Sequence, residues 1–181
     1  MAQATPSHTI EVVFSAESIA RRIDELAQAI AGAKLEPLLL VSVLNGSFVF
    51  AADLVRALHH NGVSPEVDFM SLSSYRSATT SSGRVEIQRD LEVDVAGRNV
   101  LIVDDILESG RTLAFAKDLI TARGAARVLT CVLLDKPMSR AADIGADLRA
   151  FECPNAFVIG YGMHLAQRYR ELPFVGRIVR E

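Results

Sequence analysis

The chain has 181 residues, enough for one compact α/β domain and too few for two of ordinary size, so residues 1–181 are expected to form a single domain behind a flexible tail at 1–9. Half of the residues are apolar and the formal net charge is −3 with no dense basic run, which supplies a core and argues against nucleic acid as a partner. No apolar run approaches the ~20 residues a bilayer-spanning helix needs, the polar start from Met1 to His8 lacks the h-region of a secretory signal, and the two cysteines, Cys131 and Cys153, form no CxxC pair, so a cytoplasmic protein with reduced thiols and no membrane partner is expected.

Strand-like apolar runs alternate with helical patterns, which predicts an α/β fold with a largely parallel sheet covered by helices. Ser15 is placed to cap a first helix and Glu17 suits its positive first turn. Ile19, Ile23, Leu26 and Ile30 form the buried stripe of that helix, and Gly32 is expected to end it. Leu38 to Val43 reads as a buried strand that breaks at Asn45-Gly46-Ser47. Phe48, Ala51, Leu54, Val55 and Leu58 mark the next helix, and Val67 to Leu72 a further strand. Ser73 to Gly83, rich in Ser and Thr and without periodicity, reads as a long loop of the kind that serves as a lid or binding loop. Val85 to Val95 alternates apolar and polar residues in the manner of a hairpin with one wet face. Val100 to Val103 is a buried strand, followed by a helix from Thr112 to Arg123 that Gly124 closes. Val128 to Leu134 and Phe157 to Ile159 are expected strands, with another short one at Ile178-Val179.

The chemistry concentrates in Val100 to Leu113, VLIVDDILESGRTL. In an open α/β sheet, ligands bind beyond the carboxyl ends of the strands, and Asp104 and Asp105 are expected at such an end. The loop after them, Glu108-Ser109-Gly110-Arg111-Thr112, opens onto a helix N-terminus, where free N–H groups and the helix dipole favour a phosphate. Gly110 permits close backbone approach, and Ser109 and Thr112 add hydroxyl donors. Carboxylates beside a phosphate repel it unless a sugar diol or Mg²⁺ stands between them. The pattern suits a phosphorylated sugar that carries a diphosphate. The plainer reading is a capped helix after a buried strand, with the acids merely solvated; crowding three carboxylates at one sheet end without a ligand is electrostatically costly.

These residues resemble the phosphoribosyl-diphosphate signature of type I phosphoribosyltransferases, in the hypoxanthine/guanine branch. Val43-Leu44-Asn45-Gly46-Ser47-Phe48 resembles that family's diphosphate loop, and Ser73-Ser74-Tyr75 the start of its mobile catalytic loop. Leu134-Asp135-Lys136-Pro137, Phe151-Glu152-Cys153-Pro154 and Phe157-Val158-Ile159-Gly160-Tyr161-Gly162 resemble its purine-binding region, and Tyr169-Arg170-Glu171-Leu172-Pro173 its closing segment. The resemblance covers roughly residues 10 to 180 in the same order. It implies the type I phosphoribosyltransferase fold, a mostly parallel central sheet flanked by helices with a small purine-binding hood. It also implies purine salvage, with the phosphoribosyl group passing from phosphoribosyl diphosphate to N9 of hypoxanthine or guanine to give IMP or GMP.

The roles it implies are these. Asp104 and Asp105 bind the ribose hydroxyls alongside Mg²⁺, and Glu108 accepts the purine N7 proton. Ser109, Gly110, Arg111 and Thr112 hold the 5′-phosphate. Asn45 and Gly46 present amides to the diphosphate, often through a cis peptide, and Arg170 reaches the same group. Tyr75 closes over the reacting centre. Lys136 donates to the 6-oxo group, Phe157 stacks on the purine and Val158 offers main-chain groups to its edge. A homodimer or homotetramer is the implied assembly. Taken singly, Asn45-Gly46 also reads as a plain turn, Lys136 as a solvated strand-end lysine, Phe157 as a core aromatic and Arg170 as a surface salt-bridge partner.

Three positions depart from the family pattern. Glu108 stands where an Asp is usual, keeping a carboxylate on a stem one methylene longer. His164 stands where an Asp usually holds a second Mg²⁺, and imidazole is a poor Mg²⁺ ligand. Asn45 replaces a Lys that many members carry. A binding or regulatory protein on the same fold would keep the phosphate cup and lose turnover, which these departures permit; the retained acid at 108, Gly46, Tyr75, Lys136, Phe157 and Arg170 speak against it. A phosphoacceptor receiver domain also shows VLIVDD, but on its first strand, and too few residues follow Leu113 to complete one. No G-x-G-x-x-G opens a helix after a strand, so a dinucleotide-binding oxidoreductase is excluded.

Overall fold

The computed structural model describes residues 9–74 and 85–179. In chain order the elements are β1 (Thr9–Phe14), α1 (Ala16–Gly32), β2 (Leu38–Leu44), α2 (Phe48–His60), β3 (Glu66–Ser74), β4 (Val85–Arg89), β5 (Asn99–Leu107), α3 (Arg111–Ala122), β6 (Arg127–Asp135), β7 (Leu148–Glu152), β8 (Val158–Ile159) and β9 (Val175–Val179). A 3₁₀ turn at Pro137–Ser139 follows β6.

A six-stranded sheet runs in the order β4-β3-β2-β5-β6-β7. Its strands pair in parallel except β4, which lies antiparallel on β3. Because strand side chains alternate, the central strands feed two separate apolar layers. Leu38, Leu40, Leu101, Val103, Cys131 and Leu133 face α1 and α2. Leu39, Val41, Val43, Val100, Ile102 and Val132 face α3 with its Leu113, Ala116 and Ile120. Burial on both faces explains why β2, β5 and β6 read as continuous apolar runs rather than alternating ones. A second, three-stranded antiparallel sheet, β1-β9-β8, forms the hood over the carboxyl ends of the main strands.

The start of α1 follows from Ser15, whose Oγ accepts the Ser18 N–H at 3.2 Å and relieves one of the helix's free donors. Ser15→Ala is expected to lower the unfolding free energy by about 1 kcal/mol, read from urea melts at unchanged slope. Gly32 does not stop the helix from outside; it is the last helical residue, and the left-handed turn falls on Lys34 at φ 50°. A cis Glu36-Pro37 peptide then leads into β2.

Several expected boundaries shift. β3 runs to Ser74, two residues into the expected loop, because β4 comes back to pair with it through Ser74 and Val85. The expected hairpin over 85–95 is instead one edge strand, β4, followed by an irregular stretch. Asp68 organises that stretch by accepting the N–H groups of Glu92 and Val93 at 2.8 and 3.0 Å. β1 starts at Thr9, inside the expected tail; positions 1–8 lie outside the described residues, as does Tyr75. β5 continues to Leu107, so Asp104 and Asp105 sit within the strand rather than beyond it. The continuation is held by pairing of Ile106 and Leu107 with Leu134 and Asp135 of β6.

Candidate active site

At the carboxyl ends of β2, β5 and β6 two cavities meet. One, of about 470 Å³, is lined by Asn45, Gly46, Asp105, Glu108, Lys136, Phe157, Val158, His164 and Arg170, among others. The other, of about 240 Å³, is lined by Asp104, Asp105, Glu108, Ser109, Gly110 and Thr112, and it shares Asn45, Gly46 and Ile106 with the first. Of the residues singled out in the sequence, Arg111 and Tyr75 are the exceptions: Arg111 is exposed and lines neither cavity, its N–H reaching Ser109 Oγ at 3.4 Å, and Tyr75 lies outside the described residues.

The smaller cavity has the form of an anion cup. Gly110 is left-handed at φ 80° and, as the cap of α3, brings no side chain of its own; apart from the Arg111 N–H, which reaches Ser109 Oγ at 3.4 Å, the N–H groups of the first turn face the cup without a capping side chain. Asp104 and Asp105 form its other wall. Burial, and then the neighbouring Asp105 charge, push the Asp104 carboxyl well above the usual carboxylate range. Asp105 is also raised, by burial, although bonds from Asp104 and the Ile106 N–H and the Arg170 charge pull it part of the way back. Two acids so placed gain from any group that donates hydrogen bonds to them or brings positive charge. Hard carboxylate oxygens suit magnesium. Among the described residues no group of three or more His, Cys, Asp or Glu could hold a metal unaided, so a magnesium ion here would complete its shell with water or substrate oxygens.

The larger cavity joins three loops. The Leu44-Asn45 peptide is cis. Gly46 passes so close to Asp105 that a Cβ there would lie 1.8 Å from Oδ2. On its far side the Gly46 carbonyl lies 2.2 Å from where a Gly162 Cβ would stand, so glycine is required on both sides of this contact. Arg170 sits over the same loop, with Nη1 donating to the Gly162 carbonyl at 2.5 Å and Nη2 to Gln167 Oε1 at 2.9 Å.

On the opposite wall Lys136, nearly buried, points Nζ at Glu108 Oε1 at 3.4 Å. Phe157 lies 61 % exposed beside them, an orientation a core aromatic would not adopt, while Val158 is buried and paired with Arg177 in the hood. The His164 ring accepts the Gln167 N–H on Nδ1 at 3.1 Å. In the neutral ring the proton is then on Nε2, which leaves neither nitrogen with a free lone pair for a metal. Sequence reasoning missed Gln167, Gln88 and Asn155 on the cavity wall and Arg140 behind it, each an ordinary polar residue in a loop or at a strand end with no local pattern to mark it; Asp135, also behind the wall, lies in the Leu134-Asp135-Lys136-Pro137 match but carried no role of its own there.

A family model described as phosphoribosyl transferase domain matches residues 10–165. The chain is 41 % identical over 175 residues to the hypoxanthine phosphoribosyltransferase of Escherichia coli K12, covering 95 % of this chain and 97 % of that protein. It is 43 % identical over 171 residues to the hypoxanthine-guanine phosphoribosyltransferase of Bacillus subtilis 168, covering 93 % of each. The fold superposes on the crystal structure of a hypoxanthine phosphoribosyltransferase from Staphylococcus aureus with a TM-score of 0.87 at 36 % identity, over 93 % of this chain and 91 % of that one.

Proposed function

The chain belongs to the hypoxanthine phosphoribosyltransferases, and from that membership we propose how its two cavities carry out the transfer. It moves the 5-phosphoribosyl group of phosphoribosyl diphosphate onto N9 of hypoxanthine, giving inosine 5′-monophosphate and diphosphate, a purine-salvage reaction. Guanine, giving GMP, is our proposal for a second substrate.

The observation that carries this reading is the Lys136–Glu108 pair, with Nζ and Oε1 3.4 Å apart on one cavity wall. The 6-oxo oxygen and N7 lie side by side on one edge of a 6-oxopurine. Lys136 donates to the oxygen and Glu108 accepts the N7 proton, so one donor and one acceptor read that edge together. Phe157 stacks against the ring, and Val158 meets its far edge through the main chain. The smaller cavity takes the ribose 5-phosphate, with the phosphate on the N–H and hydroxyl groups of Ser109 to Thr112 and the ribose hydroxyls on Asp104 and Asp105. Asn45, Gly46 and Arg170 receive the diphosphate.

As the C1–diphosphate bond lengthens, charge builds on the ribose ring and on the leaving group. Arg170 stabilises the second, and the Asp104–Asp105 wall stabilises the first. Loss of the N7 proton to Glu108 raises electron density at N9, which attacks C1. Asp104 and Asp105 would hold a magnesium ion, which when bound would neutralise diphosphate charge. Closure by Tyr75 and its loop, which would keep water from the cation, is part of the same proposal. Cytoplasmic location and a homodimer or homotetramer complete it; the half-exposed Phe48 beside Val49, Leu172 and Pro173 offers an apolar face that an assembly would cover.

Incubation with hypoxanthine, phosphoribosyl diphosphate and Mg²⁺ should yield inosine 5′-monophosphate, resolved by chromatography. Adenine presents an amino donor to the Lys136 donor, so its kcat/KM should fall about 10⁴-fold below that of hypoxanthine. Tight binding of the substrates with no nucleotide formed would instead favour a regulatory protein on this fold.

A further inference from the structure

Behind the phosphate cup, away from both cavities, lies a buried ion pair that none of the roles above requires. Arg140, only 18 % exposed, pairs through Nη2 with Asp135, and its Nη1 donates to the main-chain carbonyl of Glu108 at 3.1 Å. Asp135, 5 % exposed at the end of β6, also receives Arg149 Nη1 at 2.9 Å. The flanking residues repeat the pattern. The Lys136 N–H donates to the Leu107 carbonyl at 2.9 Å, and the N–H groups of Ala141 and Ala142 both donate to the Ser109 carbonyl at 2.9 and 3.0 Å. Three successive carbonyls, at 107, 108 and 109, are thus each held by the segment 136–142. Packing agrees: a Cβ on Gly110 would stand 2.7 Å from Ile144 Cγ2 and 3.1 Å from Arg140 Cδ.

A guanidinium is costly to bury unless geometry and partners are good, and a capped helix start does not need one. We propose that Arg140, anchored by Asp135, is a positioning residue that fixes the main chain at Glu108. It thereby sets the phosphate cup of Ser109 to Thr112 in its binding geometry before any ligand arrives. The inference rests on the reading of that cup as the 5′-phosphate site. The remaining carbonyl bonds come from main-chain N–H groups that any sequence would supply; the bond at Glu108 is the one made by a side chain, and its donor is ionised. Without it the Glu108–Gly110 turn must spend ordering free energy on each binding event.

The test compares a ligand that has the 5′-phosphate with one that lacks it. Inhibition constants of inosine 5′-monophosphate and of inosine, each against phosphoribosyl diphosphate, are measured on wild type, Arg140→Met, Arg140→Lys and Asp135→Asn, with a melting curve for each. Arg140→Met should weaken the nucleotide about tenfold, the weight of one charge-assisted hydrogen bond, and leave inosine within about twofold. Arg140→Lys should fall between, and Asp135→Asn combined with Arg140→Met should be no worse than the worse single variant. Equal losses on both ligands, or an unchanged ratio, would overturn the proposal in favour of a purely structural pair. If Arg140→Met does not fold, Arg140→Lys and Asp135→Asn carry the same comparison. A wild-type protein that does not prefer the nucleotide over inosine would instead overturn the phosphate-site reading, and the proposal with it.

Discussion

Glu108→Gln is expected to lower turnover about a hundredfold or more while leaving KM for phosphoribosyl diphosphate within about twofold. The amide keeps the length and shape of the side chain, and its oxygen can still accept from Lys136 Nζ, which Glu108 Oε1 meets at 3.4 Å. Folding and purine docking should therefore persist. What the amide cannot do is take the N7 proton, so N9 must attack as part of a neutral purine. Because that interaction is made in the transition state and not with phosphoribosyl diphosphate, the loss should fall on kcat. Glu108→Asp supplies the internal control. It withdraws the carboxylate by about one C–C bond, ~1.5 Å, yet retains a base, and should keep more than about a tenth of wild-type turnover. Steady-state rates with hypoxanthine decide the matter; Glu108→Gln at full rate would move the proton acceptor elsewhere.

The residues whose neighbours in sequence are also their neighbours in function were readable in advance. Asp104 to Thr112 form one strand end, one turn and one helix start, and the run of carboxylates, glycine and hydroxyls announces its chemistry locally. β2, β5 and β6, buried on both faces, announce themselves as apolar runs. What sequence could not supply is set by contacts between distant segments. β5 outlasts its apolar run because β6 pairs with Ile106 and Leu107, a fact about another strand. β1 and β7 each show half-exposed patterns that carry little signal by themselves; β1 is a strand only because β9 pairs with it across the length of the chain. Nothing in the sequence marks Asp68 or Asp135 as a buried acid, and each is buried because remote donors satisfy it: main-chain N–H groups in one case, two arginines in the other. His164 was legible as a residue type unsuited to magnesium; the bond from Gln167 that occupies Nδ1 was not.

Gly46→Ala should reduce kcat/KM for phosphoribosyl diphosphate about a hundredfold or more, although a single methyl group is all that is added. The new Cβ would lie 1.8 Å from Asp105 Oδ2 and 2.6 Å from Asp105 Cγ, so one of the two must move. The loop cannot retreat, because its own carbonyl is already pressed against Gly162, which Arg170 Nη1 and the Arg170 carbonyl hold from the far side. Asp105 must therefore yield. Its Oδ1 accepts the Ile106 N–H at 2.9 Å, and turning the carboxylate away breaks that bond and lifts the group from the wall shared by both cavities. The ribose hydroxyls lose their acceptor, and the diphosphate loop loses its register with the phosphate cup, in one substitution. Gly32→Ala is the matched control: a Cβ there meets nothing within 4 Å and sits on the last residue of α1, where alanine suits the helix. It should leave activity unchanged. Inosine 5′-monophosphate affinity, measured calorimetrically on both variants, separates the outcomes: a weakened Gly46→Ala beside an unaffected Gly32→Ala supports the wedge between Asp105 and Gly162, whereas equal affinity in the two would mean that the loop finds room the packing does not show.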